Sequence, residues 1–200
     1  MSEQYQSGLS APLFELATRE LDEERRIVVL ELGAARSGTI ELFTHYRCRL
    51  DVADLPACLP TLAEMTEPED RRTLLAERLT WPHPEPLDLI LCWNILNYLT
   101  RSDISTLAEL LAPRMTSRTR LHALMEYASP LMPATPGFWI PDVHGRLHAS
   151  QVDEHQIDAP RYKPKELERL MPQLAPERTV LLANGFQEYL FRPALQRRQA

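Results

Sequence analysis

The apolar residues of this chain fall into two patterns that alternate along its length. Residues 27–32 and 87–93 are largely continuous apolar runs, which are typical of strands buried on both faces of a sheet. Residues 10–25 carry apolar side chains at helical spacing and predict an N-terminal helix. Asn184-Gly185 separates two strand-like runs, a strong signal for a β-hairpin. This order predicts an α/β fold with a mostly parallel sheet and an antiparallel addition at its end.

The remaining elements follow from the same patterns. Further strands are expected at 49–53, 79–81, 120–125, 179–183 and 187–192. Further helices are expected at 39–45, 56–65, 68–77, 102–111 and 164–174. Ser102 or Asp103 is the expected N-cap of the fourth of these helices. Closely spaced prolines after residue 129 predict a long loop-like region before the last helix.

Size and composition indicate one domain that spans residues 1–200. The chain is 44% hydrophobic and 25% charged, which is ordinary for a globular protein. Its net charge of -6 argues against a non-specific nucleic-acid binder, because such proteins usually present a basic face. No apolar run has the length of a membrane span, and no secretion signal precedes the domain. Three cysteines without metal-ligand spacing fit a reducing compartment, so a cytoplasmic location is expected.

The stretch from residue 26 to residue 43 carries the most chemical information. It predicts a strand that ends at Glu31, a turn that contains Gly33 and Gly38, and then a helix. Such a turn presents backbone N–H groups to a ligand at the carboxyl edge of a parallel sheet. The spacing Gly33-x-Ala35-x-x-Gly38 is a tolerable match to a dinucleotide fingerprint. Glu31 argues against a dinucleotide, because its carboxylate would repel a pyrophosphate and attract the ammonium group of an amino-acid-like ligand.

Four segments in sequence order strengthen this interpretation. They are residues 28–38, 50–55, 79–99 and 184–191. Together they resemble the motifs of the class I S-adenosylmethionine-dependent methyltransferases, over nearly the whole chain. The resemblance implies a Rossmann-like, mostly parallel seven-stranded sheet, a C-terminal antiparallel hairpin and helices on both faces. It also implies S-adenosylmethionine as the cofactor.

The resemblance further implies a set of cofactor-contacting positions. These are Glu31, Gly33, Ala35, Ser37, Gly38, Asp54, Leu55, Trp81, Trp93 and Asn94. Within this set, Glu31 would lie near the methionine moiety, and Asp54 would accept hydrogen bonds from the ribose. Leu55 and Trp81 would flank the adenine. The structural alternatives are that Asp54 caps the next helix, that Trp81 belongs to the core, and that Asn94 serves its own turn. Ala35 and Ser37 replace glycines of the motif, so the backbone there is less open to a ligand.

Residues 126–163 are expected to form a substrate-side insertion or lid over the active site. The candidate substrate residues are Tyr98, Tyr127, Trp139 and His144. His144 and His148 also invite a metal interpretation, but Gly145 and Pro141 make a helical pair of ligands unfavourable, and no metal is expected. The proline-rich region 130–160 is alternatively a docking surface for a protein partner.

Three functions remain open from the sequence. The first is methyl transfer to a small molecule or a protein side chain, an in-line displacement that needs positioning rather than a protonated leaving group, so no catalytic residue is assigned. The second is a methyltransferase-like protein that does not catalyse and acts as a binding or regulatory partner. The third is an NAD(P)-linked oxidoreductase. Residues 92–97 lack the Asn/Asp-Pro-Pro-aromatic motif of relatives that methylate base or glutamine amino groups, which weakens those targets.

Overall fold

The computed structural model describes residues 8–34, 36–82, 84–142, 145–150 and 155–194. The strands in these residues are β1 (Leu9–Ser10), β2 (Ile27–Glu31), β3 (Cys48–Val52), β4 (Leu87–Trp93), β5 (Met115–Glu126), β6 (Leu131–Pro133), β7 (Trp139–Pro141), β8 (Arg146–Ala149), β9 (Gln156–Asp158), β10 (Leu174–Leu181) and β11 (Phe186–Pro193). The helices are α1 (Pro12–Arg19), α2 (Ser37–Phe43), α3 (Leu59–Glu64), α4 (Pro68–Arg78), α5 (Arg101–Leu111) and α6 (Pro164–Leu170). None of these helices is long and apolar enough to cross a bilayer.

The main sheet has the strand order β10-β11-β5-β4-β2-β3. β2 pairs in parallel with β3 on one side and β4 on the other, and β4 pairs in parallel with β5. β11 pairs antiparallel with both β5 and β10. The α/β class with a mostly parallel core is therefore confirmed. The chain reverses its direction of travel across the sheet at β2, so a crevice is expected outside the carboxyl ends of β2 and β4.

Two hydrophobic clusters cover the two faces of this sheet. Val28 and Leu30 point into one cluster together with residues of α3, α4, α5 and α6. Ile27 and Val29 point into the other together with residues of α1 and α2. Successive strand residues face opposite sides of a sheet, so a central strand between two layers of helices is apolar at most of its positions. This requirement explains the unbroken apolar run that marked β2 in the sequence.

The described part of the main sheet has six strands, and the expectation of seven was wrong. The expected strand at 79–81 does not form, because α4 continues to Arg78 and Leu79 is its C-cap. The chain beyond carries prolines at 82, 84 and 86, and a proline cannot donate to a β-ladder. Trp81 instead packs against the core and under the guanidinium of Arg114, with 4.8 Å between Cζ and the ring centroid. β3 is consequently an edge strand.

The N-cap of α5 lies two to three residues earlier than the sequence suggested. Thr100, rather than Ser102 or Asp103, is the N-cap, and its hydroxyl accepts a hydrogen bond from the Asp103 amide at 3.2 Å. The Asp103 carboxylate in turn accepts the Thr100 amide at 3.0 Å, which completes a capping box. Arg71 of α4 donates to the same carboxylate at 2.9 Å. Asp103 therefore joins α4 to α5 as well as capping α5.

Residues 126–163 form more regular structure than the expected loop. β6 and β9 make a two-stranded antiparallel sheet, and β7 and β8 join β1 in a three-stranded sheet. β7 packs against α2 at the edge of the main sheet. The segment thus folds back over the carboxyl ends of the parallel strands, as an insertion on that side would. Its function as a lid stays a prediction.

A buried carboxylate holds α1 against the sheet. Glu188 of β11 is fully buried, and its two oxygens accept hydrogen bonds from the amides of Leu13 (3.1 Å) and Phe14 (2.8 Å). Nε2 of His122 on β5 lies 2.9 Å from the Glu188 Oε1 atom. Ala11, the N-cap of α1, has no side chain that can satisfy these amides. Glu188 therefore caps the helix from a different element.

Replacing Glu188 by alanine should leave two buried amides and one buried imidazole without partners. We expect Glu188→Ala to lower the free energy of unfolding by about 3 kcal/mol, measured by urea denaturation. Glu188→Gln, which keeps one accepting oxygen, should lose less. The exposed Glu168 gives a control, and Glu168→Ala should change stability by less than about 0.5 kcal/mol. A loss from Glu188→Ala as small as this control would contradict the capping assignment.

Candidate functional site

A cleft of about 1230 Å³ opens at the carboxyl edge of the parallel strands. Arg36, Asp54 and Tyr98 line it, and these residues follow β2, β3 and β4 respectively. The opposite wall comes from the folded-back segment, with Phe138 and Ile157 among its residues. The cleft lies where the order of the strands reverses, which is the usual position of a ligand in an open α/β sheet.

The turn beside this cleft is organised by Glu31, the last residue of β2. Its Oε1 atom accepts a hydrogen bond from the Gly33 amide at 2.7 Å and another from the indole nitrogen of Trp93. Glu31 is fully buried, and its Oε2 atom has no hydrogen-bond partner among the described residues. Desolvation raises the pKa of Glu31 to about 8, although the bonds from Trp93 and Gly33 oppose the shift. Burial therefore favours the protonated form of this carboxyl group at neutral pH.

Trp93 ends β4 in a conformation that few residues adopt. Its φ angle is 48°, in the left-handed region, and its side chain is buried. The indole packs against Phe14, with ring centroids 5.6 Å apart, and against His122, at 5.9 Å. A Cβ on Gly33 would lie 3.0 Å from the Trp93 Cδ1 atom and 2.8 Å from Glu31 Oε1. Gly33 is therefore required by the packing of the turn itself.

Asp54 presents a carboxylate to the cleft. It has φ 46° and immediately precedes the short 3-10 helix Leu55–Cys58, yet its side chain makes no capping hydrogen bond. Asp54 therefore occupies the N-cap position of this helix, as the structural alternative expected, but its carboxylate does not take part in the capping. Its side chain makes no hydrogen bond or ion pair with any other residue that the structure describes. Asp54 is left able to accept hydrogen bonds from a ligand.

The other positions implied for the cofactor do not come together in the main cleft. Leu55 is fully buried in the core cluster, and Trp81 lies beside Arg114 rather than in the cleft lining. Ser37 and Gly38 begin α2 and line a separate pocket of about 360 Å³. A Cβ on Gly38 would lie 2.8 Å from the carbonyl oxygen of Pro141, so β7 covers this glycine closely. Ala35 lies outside the described residues.

Trp93 and Asn94 are buried, and neither lines the main cleft. The Asn94 side-chain oxygen accepts a hydrogen bond at 3.2 Å from the indole nitrogen of Trp139, an expected substrate residue. Asn94 and Trp139 line a second pocket of about 530 Å³ next to Phe186. The ring of Phe186 meets Trp139 edge-on, with centroids 5.5 Å apart. Asn94 thus connects β4 to the folded-back segment.

Of the four expected substrate residues, Tyr98 is the one that lines the main cleft. Its hydroxyl donates to the carbonyl oxygens of Pro133 (3.0 Å) and Thr135 (3.2 Å), and burial raises its pKa. Tyr127 is 53% exposed and lies outside the cleft lining. His144 falls outside the described residues. These hydrogen bonds link the segment after β4 to the folded-back segment. The Tyr98 hydroxyl is therefore a structural link rather than a proton acceptor.

Sequence reasoning missed Arg36, Phe138 and Asn97. The guanidinium carbon of Arg36 lies 3.4 Å from the centroid of the Phe138 ring, and both residues line the cleft. Asn97 is buried at the cleft, and its side-chain oxygen accepts the Glu126 amide at 3.2 Å. The available signal for Arg36 was its position inside the glycine turn, between the two residues that replace glycine.

Comparison with known proteins gives a likeness in fold only. The sequence matches no family model and no curated protein. Three solved structures superpose on almost the whole chain. An S-adenosylmethionine-dependent methyltransferase from Clostridium acetobutylicum has a TM-score of 0.50 and 9% identity, and the match covers 90% of this chain and 96% of that one. The 1,6-didemethyltoxoflavin-N1-methyltransferase of Burkholderia thailandensis has a TM-score of 0.51, 15% identity, and coverage of 92% and 80%.

The third structure is the glycopeptide N-methyltransferase MtfA complexed with sinefungin, with a TM-score of 0.50, 13% identity, and coverage of 94% and 88%. This chain has the class I methyltransferase fold. The recognition made from the four sequence segments is confirmed at that level. Within a class I methyltransferase fold, the turn after β2 and the end of β3 lie at the switch point described above.

The raised pKa of Glu31 predicts a pH-dependent stability. The folded protein holds a proton on Glu31 up to about pH 8, whereas the unfolded chain releases it near 4.5. Stability from this group is fully present below pH 4.5 and is lost as the pH rises through 8. In Glu31→Gln this loss is absent, so its stability relative to the native protein should rise across that window by up to about 1.4 kcal/mol per pH unit.

Urea unfolding at several pH values between about 5 and 8 measures this difference. Glutamine keeps the oxygen that accepts from Gly33 and Trp93, so the comparison isolates the titration. The exposed Glu64 provides a control, and the curve of Glu64→Gln should run parallel to that of the native protein. A parallel curve for Glu31→Gln would mean that Glu31 does not titrate in this window.

Proposed function

We propose that this protein is an S-adenosylmethionine-dependent methyltransferase that acts on a small molecule or a protein side chain. The observation that carries the proposal is the bare carboxylate of Asp54 in the switch-point cleft, next to the turn that Glu31 organises. The structural neighbours include methyltransferases named for a didemethyltoxoflavin and for a glycopeptide. Small and peptidic acceptors are both compatible with a cleft of about 1230 Å³, since typical ligand pockets measure roughly 300–1,000 Å³.

The residues present fit the two polar ends of this cofactor. A nucleoside needs an acceptor for its ribose hydroxyls, and Asp54 offers a carboxylate with no other partner in the described structure. An amino-acid end carries an ammonium group, and Glu31 keeps one buried oxygen unsatisfied beside the turn. Pro56 and Ala57, which follow Asp54 in the cleft lining, supply apolar surface for the base. They take the place proposed from the sequence for Leu55 and Trp81.

The same turn disfavours a dinucleotide. The Gly33 amide donates to Glu31 at 2.7 Å, so it is not available to a pyrophosphate. The buried carboxyl group behind it would repel that anion once ionised. An NAD(P)-linked oxidoreductase therefore has less support than a methyltransferase.

In the proposed reaction, the residues of this chain position the reactants and exclude water. When bound, S-adenosylmethionine supplies an electrophilic methyl group on a sulfonium, and displacement at that carbon requires an aligned nucleophile. Tyr98 donates its hydroxyl to two carbonyl groups, and Tyr162 donates to the Leu99 carbonyl at 2.6 Å. These bonds fix both rings as walls of the cleft. They shape the path of the acceptor and exclude water, and we assign no catalytic base.

A second candidate is a methyltransferase-like protein that does not catalyse and acts as a partner for other proteins. The observation in its favour is the contact of β7 with α2, where Pro141 and Ile140 lie close over Gly38. The chain itself thus covers the start of the helix that follows the turn. Binding of cofactor product separates the two candidates directly.

Calorimetric titration with S-adenosylhomocysteine tests the proposal. The native protein should bind it, and Asp54→Asn should weaken binding about tenfold, because a hydrogen bond to a charged group contributes about 1.5 kcal/mol more than a neutral one. Asparagine tolerates the left-handed backbone at this position, so the variant should keep the local fold. Asp158→Asn alters a carboxylate on the opposite wall and should change the affinity less than twofold.

Two results would count against the proposal. No heat from the native protein at millimolar ligand would favour the non-catalytic partner. Equal affinity of Asp54→Asn and Asp158→Asn would show that Asp54 does not hold the ribose.

A further inference from the structure

Two buried polar atoms flank the turn after β2, one from a carboxyl group and the other from a guanidinium group. They are Oε2 of Glu31 and Nε of Arg36, and neither has a hydrogen-bond partner among the described residues. Buried polar atoms in native proteins are almost always paired, so an unpaired one calls for an explanation. Arg36 lines the cleft at the switch point, whereas Glu31, five positions earlier, is buried behind the turn and is not part of the lining. A carboxylate on a ligand in the cleft would give Arg36 the partner that it lacks, and an ammonium on the same ligand would suit the free oxygen of Glu31.

Arg36 is held in place without an ion pair. Its guanidinium carbon lies 3.4 Å from the centroid of the Phe138 ring, a cation–π contact that holds the side chain at the cleft. Arg101, the other cation in the cleft lining, donates to Glu166 at 2.7 Å and is thereby neutralised. Within the described residues no carboxylate lies within ion-pair distance of Arg36. Arg36 is therefore the better candidate for an anionic ligand group.

We propose that Arg36 holds the carboxylate of the amino-acid end of the bound cofactor, opposite the ammonium at Glu31. This inference rests on the proposed function and adds a recognition residue to it. Position 35 is alanine and position 37 is serine, so the backbone between them approaches a ligand less closely than glycine would allow. The side chain of Arg36 compensates by reaching the carboxylate with a planar, charged donor edge.

A pair of ligands that differ only at the amino-acid end tests this directly. S-Adenosylhomocysteine carries that end, and 5′-methylthioadenosine keeps the nucleoside and the thioether but lacks it. We expect Arg36→Met to weaken S-adenosylhomocysteine at least about tenfold, the loss of a charge-assisted hydrogen-bond pair. Its affinity for 5′-methylthioadenosine should change less than about twofold. Methionine keeps an apolar chain against Phe138, which limits the structural effect.

Arg36→Lys serves as the charge-matched variant. Lysine keeps the positive charge but not the planar donor edge, so it should restore part of the preference for S-adenosylhomocysteine over 5′-methylthioadenosine. Thermal unfolding without ligand should give similar midpoints for the native protein and both variants. This check establishes that the fold survives each substitution.

The outcomes are distinguishable. If Arg36→Met weakens both ligands equally, Arg36 acts on the shape of the turn and the inference is overturned. If the native protein binds S-adenosylhomocysteine and Arg36→Met binds it equally well, the inference fails while the proposed function stands. If the native protein binds neither ligand, the proposed function itself fails.

Discussion

The arrangement of the central strands and of the turn beside the cleft depends on one buried carboxyl oxygen. Oε1 of Glu31 accepts from the amide two residues later and from the indole of Trp93 on the next strand, so it fixes both the turn after β2 and the end of β4. Trp93 then packs on Phe14 and His122, and His122 lies against Glu188. The polar contact at the turn is thus continuous with the packing that seats α1. Burying a carboxyl group with few hydrogen-bond partners costs free energy of folding. The position of Glu31 is explained by the turn and the indole that its oxygen fixes.

The cleft divides into two parts with different origins. Its floor comes from the ends of the parallel strands, where the fold places Arg36 and Asp54. Its other wall comes from the folded-back segment, whose strands belong to two small sheets, and the hydroxyl of Tyr98 links that wall to the floor. Fold alone does not fix function, and the distant structural neighbours share only the architecture with this chain. The side chains that bear on function, Arg36 and Asp54, therefore belong to the floor of the cleft.

Local patterns predicted the parts of the structure that local forces decide. β2 and β4 were evident because a strand between two layers of helices is apolar on both of its faces. The strand expected at 79–81 does not form, because three prolines follow it. The apolar pattern alone takes no account of these prolines. The pairing of Arg36 with Phe138 could not be predicted, since the two residues are 138 − 36 = 102 positions apart and share no periodicity. The sequence indicated that Glu31 matters to the turn. Its burial beside Trp93 depends on tertiary packing and could not be predicted.

Within the described residues the main sheet ends at β3, whose outer backbone groups are not paired with a further strand of that sheet. The side chains around this border are ionic: Arg49 bonds to Asp51 and to Glu85, each at 2.8 Å, and Arg114 bonds to Asp51 at 2.7 Å. Prolines in the adjoining segment offer no N–H donors. Charges and prolines at a sheet border are the means by which proteins prevent edge-to-edge aggregation. The shortened sheet therefore carries its own protection against polymerisation.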